Sequence, residues 1–195
     1  MNGLLIAPVL LPLLLGILSL LLWHHVRAQR VIAVAGTGLL TLLSLRLLIG
    51  IYRHGIQAVH LGNWEAPFGI SLAADLLGAI MVVLASITGF AIALYSVGAN
   101  ERQRECFGYY PLVHILIMGV NGAFLTGDIF NLYVWFEVML MSSFVLLALG
   151  GEKPQIEGGV KYMALNFFSS VIFLTAVGLL YGVMGTLNLA DLAVK

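Results

Sequence analysis

Glu137 is the residue best suited to chemistry. It sits in Asp128-Ile129-Phe130-Asn131-Leu132-Tyr133-Val134-Trp135-Phe136-Glu137-Val138-Met139-Leu140-Met141, a largely apolar run. On a helix it stands ~13 Å from Asp128, near the middle of a bilayer. A lone carboxylate there is costly unless it is protonated, paired or touching water. Low dielectric disfavours the charged form, which suits such a carboxyl to exchanging protons near neutral pH. The competing reading is a neutral Glu137 hydrogen-bonded to a neighbouring helix. An intramembrane ionisable group marks a pathway by default, so the functional reading is preferred.

Lys161 is the second candidate, in Gly158-Gly159-Val160-Lys161-Tyr162-Met163-Ala164-Leu165-Asn166. A buried lysine can relay protons; a lysine near a helix end can instead snorkel to the interface. His114 is either a relay group or one half of an interhelical hydrogen bond, and the second reading is preferred. Asn121, Asn131 and Asn166 hold water or join helices. His114, Asn131 and Asn166 complete a possible polar path with Glu137 and Lys161. Asp75 and Asp128 read as helix N-caps. Arg46 snorkels outward, and Tyr52, Tyr109, Tyr110 and Trp23 read as interface-belt residues. Gly119 and Gly122 permit close helix approach.

The sequence has no Gly-rich phosphate loop, His-Glu metal motif or nucleophile elbow. Cys106 is the single cysteine, so it forms no internal disulfide and no metal site. No cofactor is expected. Isolated buried charges suit the movement of small ions better than chemistry on bonds.

These residues must be positioned by membrane helices. Of 195 residues, 61% are hydrophobic and 9% charged, with a mean hydropathy of +1.05. A soluble domain carries about 25% charged residues, so a soluble enzyme and a nucleic-acid binder are excluded. The zero formal net charge points to no charged partner. Apolar runs of about 20 residues cross a bilayer, and six are present: 3–22, 31–51, 76–99, 109–127, 129–149 and 157–184. The fold class predicted is an all-α polytopic transmembrane bundle. The first run lacks the flanks of a signal peptide and is read as a retained helix.

The longest connection, roughly 54–75, holds two short alternating stretches around Glu65-Ala66-Pro67-Phe68-Gly69. It predicts a small β-hairpin between the second and third helices, with an irregular loop anchored by Trp64 as the alternative. Arg27, Arg30, Arg102, Arg104 and Lys153 fall on one side, against Arg53 and Lys195 on the other. The basic side is cytoplasmic, which sets the hairpin and the N-terminus outside and Cys106 inside. The location expected is the inner (plasma) membrane.

The run Asn121-Gly122-Ala123-Phe124-Leu125-Thr126-Gly127-Asp128 and its continuation through Leu140 closely resembles the D-type subunits of multisubunit Mrp Na+/H+ antiporters. So do Trp64–Ile70 and Gly185-Thr186-Leu187-Asn188-Leu189-Ala190-Asp191-Leu192-Ala193. That family takes in the proton-pumping membrane subunits of complex I and of membrane-bound hydrogenases. The resemblance implies that Glu137 is the fifth-helix glutamate of a proton path and Lys161 the lysine that opens the sixth helix. It implies as partners the other antiporter subunits, the lipid bilayer, H+ and Na+ or K+. Family subunits have about fourteen helices in two inverted repeats with broken helices. The resemblance therefore predicts an N-terminal fragment, truncated before the broken helix that holds the lysine partner of Glu137. It divides the chain into an N-terminal three-helix region, 1–107, and the first three helices of an antiporter-type repeat, 108–195.

Two other functions remain open: a proton-pumping subunit of a complex I-like or hydrogenase-like oxidoreductase, and a non-transporting scaffold subunit. Two geometric expectations follow from the helix boundaries. With the fifth helix ending near Gly150 and the sixth starting near Pro154, Glu137 and Lys161 differ in depth by ~9 Å. They should not pair directly; a water or polar side chain should lie between them. The fourth to sixth helices should also expose an apolar face.

Overall fold

The computed structural model describes residues 2–64, 69–99 and 105–195. Its helices are α1 (Asn2–Leu21), α2 (Val26–His54), α3 (Leu76–Ala99), α4 (Tyr109–Leu125), α5 (Ile129–Ala148), α6 (Lys153–Met184) and the short α7 (Leu189–Val194). Five helices, α1, α2, α3, α5 and α6, are long and apolar enough to cross a membrane, and α4 is a shorter apolar helix of 17 residues. The chain is a multi-pass membrane protein. α3 has the predicted bounds; α2 begins five residues earlier and ends three later than the predicted span of 31–51.

β1 (Gln57–His60) and β2 (Ser71–Ala74) pair antiparallel, with Gln57 opposite Ala74 and His60 opposite Ser71. The predicted hairpin is present. Its Glu65–Phe68 turn lies outside the described residues, and Trp64 is exposed. Leu5, Val9, Leu47, Ile51, Leu72, Ala74, Ala79, Val82 and Leu125 form one core cluster beneath the hairpin.

Polar contacts tie the first helices together where apolar surface alone gives little preference in lipid. Ser44 and Ser86 hydroxyls lie 2.8 Å apart, and Thr41 donates to the Ser86 carbonyl at 3.2 Å, joining α2 to α3. In α1, Pro12 has no N–H, so the carbonyl four residues back, that of Pro8, has no helical donor. Asn121 Nδ2 of α4 supplies one at 2.9 Å. The backbone is satisfied and α1 is fixed to α4 in the same contact.

The helix ends on the hairpin side are also joined. The Gly127 N–H donates to the Ser71 carbonyl at 2.8 Å, linking β2 to the α4–α5 connection. The Ile129 N–H donates to the Leu187 carbonyl and the Leu189 N–H to the Gly127 carbonyl, at 3.0 and 2.9 Å. Asn188 Nδ2 reaches Ser71 Oγ at 2.8 Å. Hairpin, α4–α5 link and α6–α7 link thus form one hydrogen-bonded clasp.

At the opposite end, Glu105 is fully buried and accepts from Arg30 Nε at 3.0 Å, Arg30 Nη2 at 2.7 Å and the Tyr110 hydroxyl at 2.7 Å. A bidentate guanidinium and a phenol together neutralise and orient the carboxylate. Tyr110, read from sequence as a belt residue, is instead buried, because its hydroxyl completes this cluster. Tyr52 is exposed, as a belt residue should be.

Candidate functional site

The site is built from α5 outward. Asp128 caps α5 by accepting from the Asn131 N–H at 2.9 Å, and Asp75 caps α3 by accepting from the Gly78 N–H at 2.7 Å. Both act as the N-caps read from sequence. α5 then lies tightly on α4, because α4 offers glycine where α5 offers bulk. A Cβ on Gly119 would come within 2.7 Å of Met139 Cγ, and one on Gly122 would meet the Trp135 ring. Holding Trp135 and Met139 against α4 turns Glu137, two residues after Trp135, towards α6.

Glu137 is half-buried, and its Oε1 is buried with no hydrogen-bond partner in the described residues. Glu137, Tyr162, Asn166 and Ser170 are polar members of the wall of a cavity of about 40 Å3 between α5 and α6. A second cavity of about 180 Å3 adjoins it and is lined by Tyr133, Asn166, Ser169 and Ser170, among others. Asn166 borders both, and its Nδ2 donates to the Tyr162 carbonyl at 2.8 Å. The Tyr162 hydroxyl lies 3.0 Å from Ser143 Oγ.

Lys161 does not reach this pocket. Its Nζ pairs with Glu157 Oε1 at 2.7 Å, one turn back on α6, and both side chains are mostly exposed. Among the described residues no ion pair joins Glu137 to Lys161. Because Tyr162 meets Ser143 and Gly159 faces Phe144, Lys161 stands level with residues 143–144 of α5, ~10 Å in depth from Glu137. The Ser143–Tyr162 pair stands at the level of Lys161.

The other candidates divide. Asn166 joins Glu137 at the α5–α6 cavity. Asn131 does not: it is buried at the hairpin end, where its Nδ2 donates to Thr126 Oγ1 at 2.9 Å. His114 lies elsewhere again, fully buried between α4 and Gly16 of α1, with no hydrogen-bond partner for either ring nitrogen among the described residues. The preferred reading of His114 as an interhelical hydrogen bond is therefore corrected. Gly16 of α1, which packs beside the His114 Cβ, has no side chain to offer. Arg46 is exposed on α2, as snorkelling requires. Sequence reasoning missed Tyr162 and Ser143, which carry no charge and no motif, although both stand within six residues of Glu137 or next to Lys161. The described residues contain no group of three or more His, Cys, Asp or Glu side chains that could hold a metal.

α5 and α6 make few contacts on their outer sides. Only 6% of the apolar stretch of α6 is buried against the rest of the chain, compared with 39% for α1 and α3. The expected apolar face is present on α5 and α6, while α4 has no exposed large hydrophobic residue, because α1, α3 and α5 pack around it.

Residues 126–195 match the family described as NADH:quinone oxidoreductase/Mrp antiporter, transmembrane. Over all 195 residues the chain is 46% identical to the D-type subunit of the Na+/H+ antiporter of Alkalihalophilus pseudofirmus and 43% identical to that of Bacillus subtilis, covering 40% of each. The chain thus spans about two-fifths of the length of these curated relatives. Its fold is similar to a chain of the archaeal membrane-bound sulfane sulfur reductase, with a TM-score of 0.90 and 29% identity over 97% of this chain and 39% of that one. It is also similar to a chain of the Mrp complex from Dietzia sp., with a TM-score of 0.89 and 28% identity over 97% of this chain and 36% of that one. The resemblance read from residues 121–140 is borne out and extends along the whole chain.

Proposed function

We propose that this chain is a membrane-embedded part of an ion-translocating subunit in a multisubunit Na+(K+)/H+ antiporter. In this reading Glu137 is the mid-membrane carboxyl that takes up and releases the transported proton. The carrying observation is the geometry of Glu137: a carboxyl oxygen shut off from water and without a hydrogen-bond partner among the described residues, at a small, mostly apolar cavity that Asn166 also lines. An intramembrane acid with one buried oxygen left without a partner suits a pathway better than a scaffold. Lys161, exposed and held by Glu157, belongs to the cytoplasmic mouth of that path, and Asn166 to its wall.

The excess of basic residues around 27–30, 102–104 and at 153 supports a cytoplasmic location for those connections and an outward N-terminus in the plasma membrane. In this reading the chain divides between residues 107 and 108, and a repeat starts with α4. The exposed faces of α5 and α6 are consistent with further helices, in an inverted second repeat, covering the Glu137 side.

The likeness to a respiratory reductase chain favours one second reading, a proton pump powered by electron transfer in other subunits. The higher identity to two antiporter subunits weighs against it. Deletion of the gene from its host separates them. Sodium-sensitive growth, restored by the chain within its full subunit, supports antiport. Copurification with flavin and iron–sulfur subunits supports the respiratory reading and overturns the first.

A further inference from the structure

We infer that Tyr133, one helical turn before Glu137 and held by aromatic rings of α5 and α6, donates its hydroxyl hydrogen to the Glu137 carboxylate, which makes Tyr133 a positioning residue for proton uptake and release there. The inference rests on the reading of Glu137 given above.

Helix geometry carries the first step. Residues four apart on a helix share a face, with ~5–6 Å between their Cβ atoms. Long helical side chains lean towards the N-terminus, so Glu137 extends over the turn that holds Tyr133. Both residues face α6. Tyr133 stacks on Phe173 of α6, with ring centroids 6.2 Å and planes 12° apart, and Phe130 lies against it at 6.1 Å. Tyr133 lines the larger of the two α5–α6 cavities and Glu137 the smaller, and Leu140, Asn166 and Ser170 border both. Phenol and carboxyl therefore meet without a bridging molecule.

Hydrogen-bond chemistry carries the second step. Among the described residues Glu137 is the one side chain whose charge and hydrogen bonding act on the Tyr133 phenol. An ionised carboxylate only accepts, so in that state the phenol is the donor. Glu137 Oε1 has no partner, which leaves Oε2 to receive the hydrogen. Few other groups compete. Tyr162 is the one titratable side chain that α6 presents to the two cavities, and its hydroxyl meets Ser143. Lys161 is held by Glu157. On the α4 side, Trp135 and Met139 fill the contact.

The phenol keeps its proton throughout. A donor to the charged form favours that form, so Tyr133 eases release of the proton from Glu137. The stacked ring fixes where that donor stands, and with it the direction in which the carboxyl points.

The test uses the assembled antiporter containing the chain, in everted membrane vesicles, with cation-driven proton movement read across a pH series. Immunoblotting of the membranes equalises the amount of each variant. Tyr133→Phe keeps the ring and its stacking and removes only the donor. It should move the pH profile up by about one unit, the order of one lost hydrogen bond to a charged group. Glu137→Asp withdraws the carboxyl from the phenol by one methylene, so adding Tyr133→Phe to it should leave the profile of Glu137→Asp in place. An equal displacement in that background overturns the inference, because the effect then does not pass through the contact. A Tyr133→Phe complex with an unaltered profile, beside an inactive Glu137→Gln complex, also overturns it and leaves the role of Glu137 standing. Full activity in Glu137→Gln overturns both.

Discussion

Lys161 Nζ is 2.7 Å from Glu157 Oε1, on its own helix, and not against Glu137. This contact places the lysine at the exposed end of α6, while Glu137 faces the α5–α6 cavity ~10 Å deeper. The two groups stand at different depths of the α5–α6 pair. A double-mutant cycle with Glu137→Gln and Lys161→Met should give a coupling energy below about 0.5 kcal/mol, the spread expected of sites without direct contact. Coupling of several times that size would mean that the two side chains meet.

The close approach of α4 and α5 depends on glycine. Gly122→Val places branched carbon into the Trp135 ring and should destabilise the chain by about 1–3 kcal/mol. Gly50→Val, where a Cβ meets nothing within 4 Å, should cost far less. Thermal unfolding of both variants in the same detergent gives the comparison.

Arg30 is the cation of a fully buried carboxylate. Arg30→Gln leaves Glu105 with the Tyr110 hydroxyl and no charge partner, a change that costs about 3–5 kcal/mol for buried pairs. The partial exposure of Arg30 puts the expected value at the lower end. Arg30→Gln together with Glu105→Gln should recover part of the loss. A double variant less stable than Arg30→Gln alone would argue against the cluster.

The orientation is tested by labelling. With Cys106→Ser as background, Arg27→Cys should react with a membrane-impermeant maleimide from the cytoplasmic side only, and His60→Cys from the outer side only. Exchanged sides would reverse the orientation, and reaction of both from one side would contradict α2 as a membrane span.

Much of this arrangement is legible in the sequence because its cause is local. Hydropathy sets α3 at 76–99, and an Asp before an apolar run marks Asp75 and Asp128 as caps. Gly119 and Gly122, three residues apart, foretell the α4–α5 contact. Proline at 154 marks the start of α6, which begins at Lys153. The rest depends on residues distant in the chain. Glu105 lies beside basic loop residues and looks like a solvated charge until the fold brings Arg30 and Tyr110 to it. The clasp between Ser71, Gly127 and Asn188 joins three connections that no local pattern relates. Tyr162 reads as an ordinary apolar-helix tyrosine, and only its contact with Ser143 sets it apart. Glu137 is legible as a candidate because a carboxylate in a long apolar run is costly wherever the fold puts it.

The central claim is that Glu137 carries the transported proton. Proton movement in everted vesicles, driven by addition of Na+ or K+ to the assembled complex, tests it most directly when Glu137→Gln is compared with Glu137→Asp at equal membrane content. The account predicts that Glu137→Gln, which keeps shape and hydrogen bonding but cannot titrate, loses at least ~100-fold in rate, as removal of an acid–base group does. Glu137→Asp, which keeps the carboxyl one methylene shorter, should retain measurable transport. Equal, undiminished rates in both variants would contradict the account and return the chain to a scaffold role.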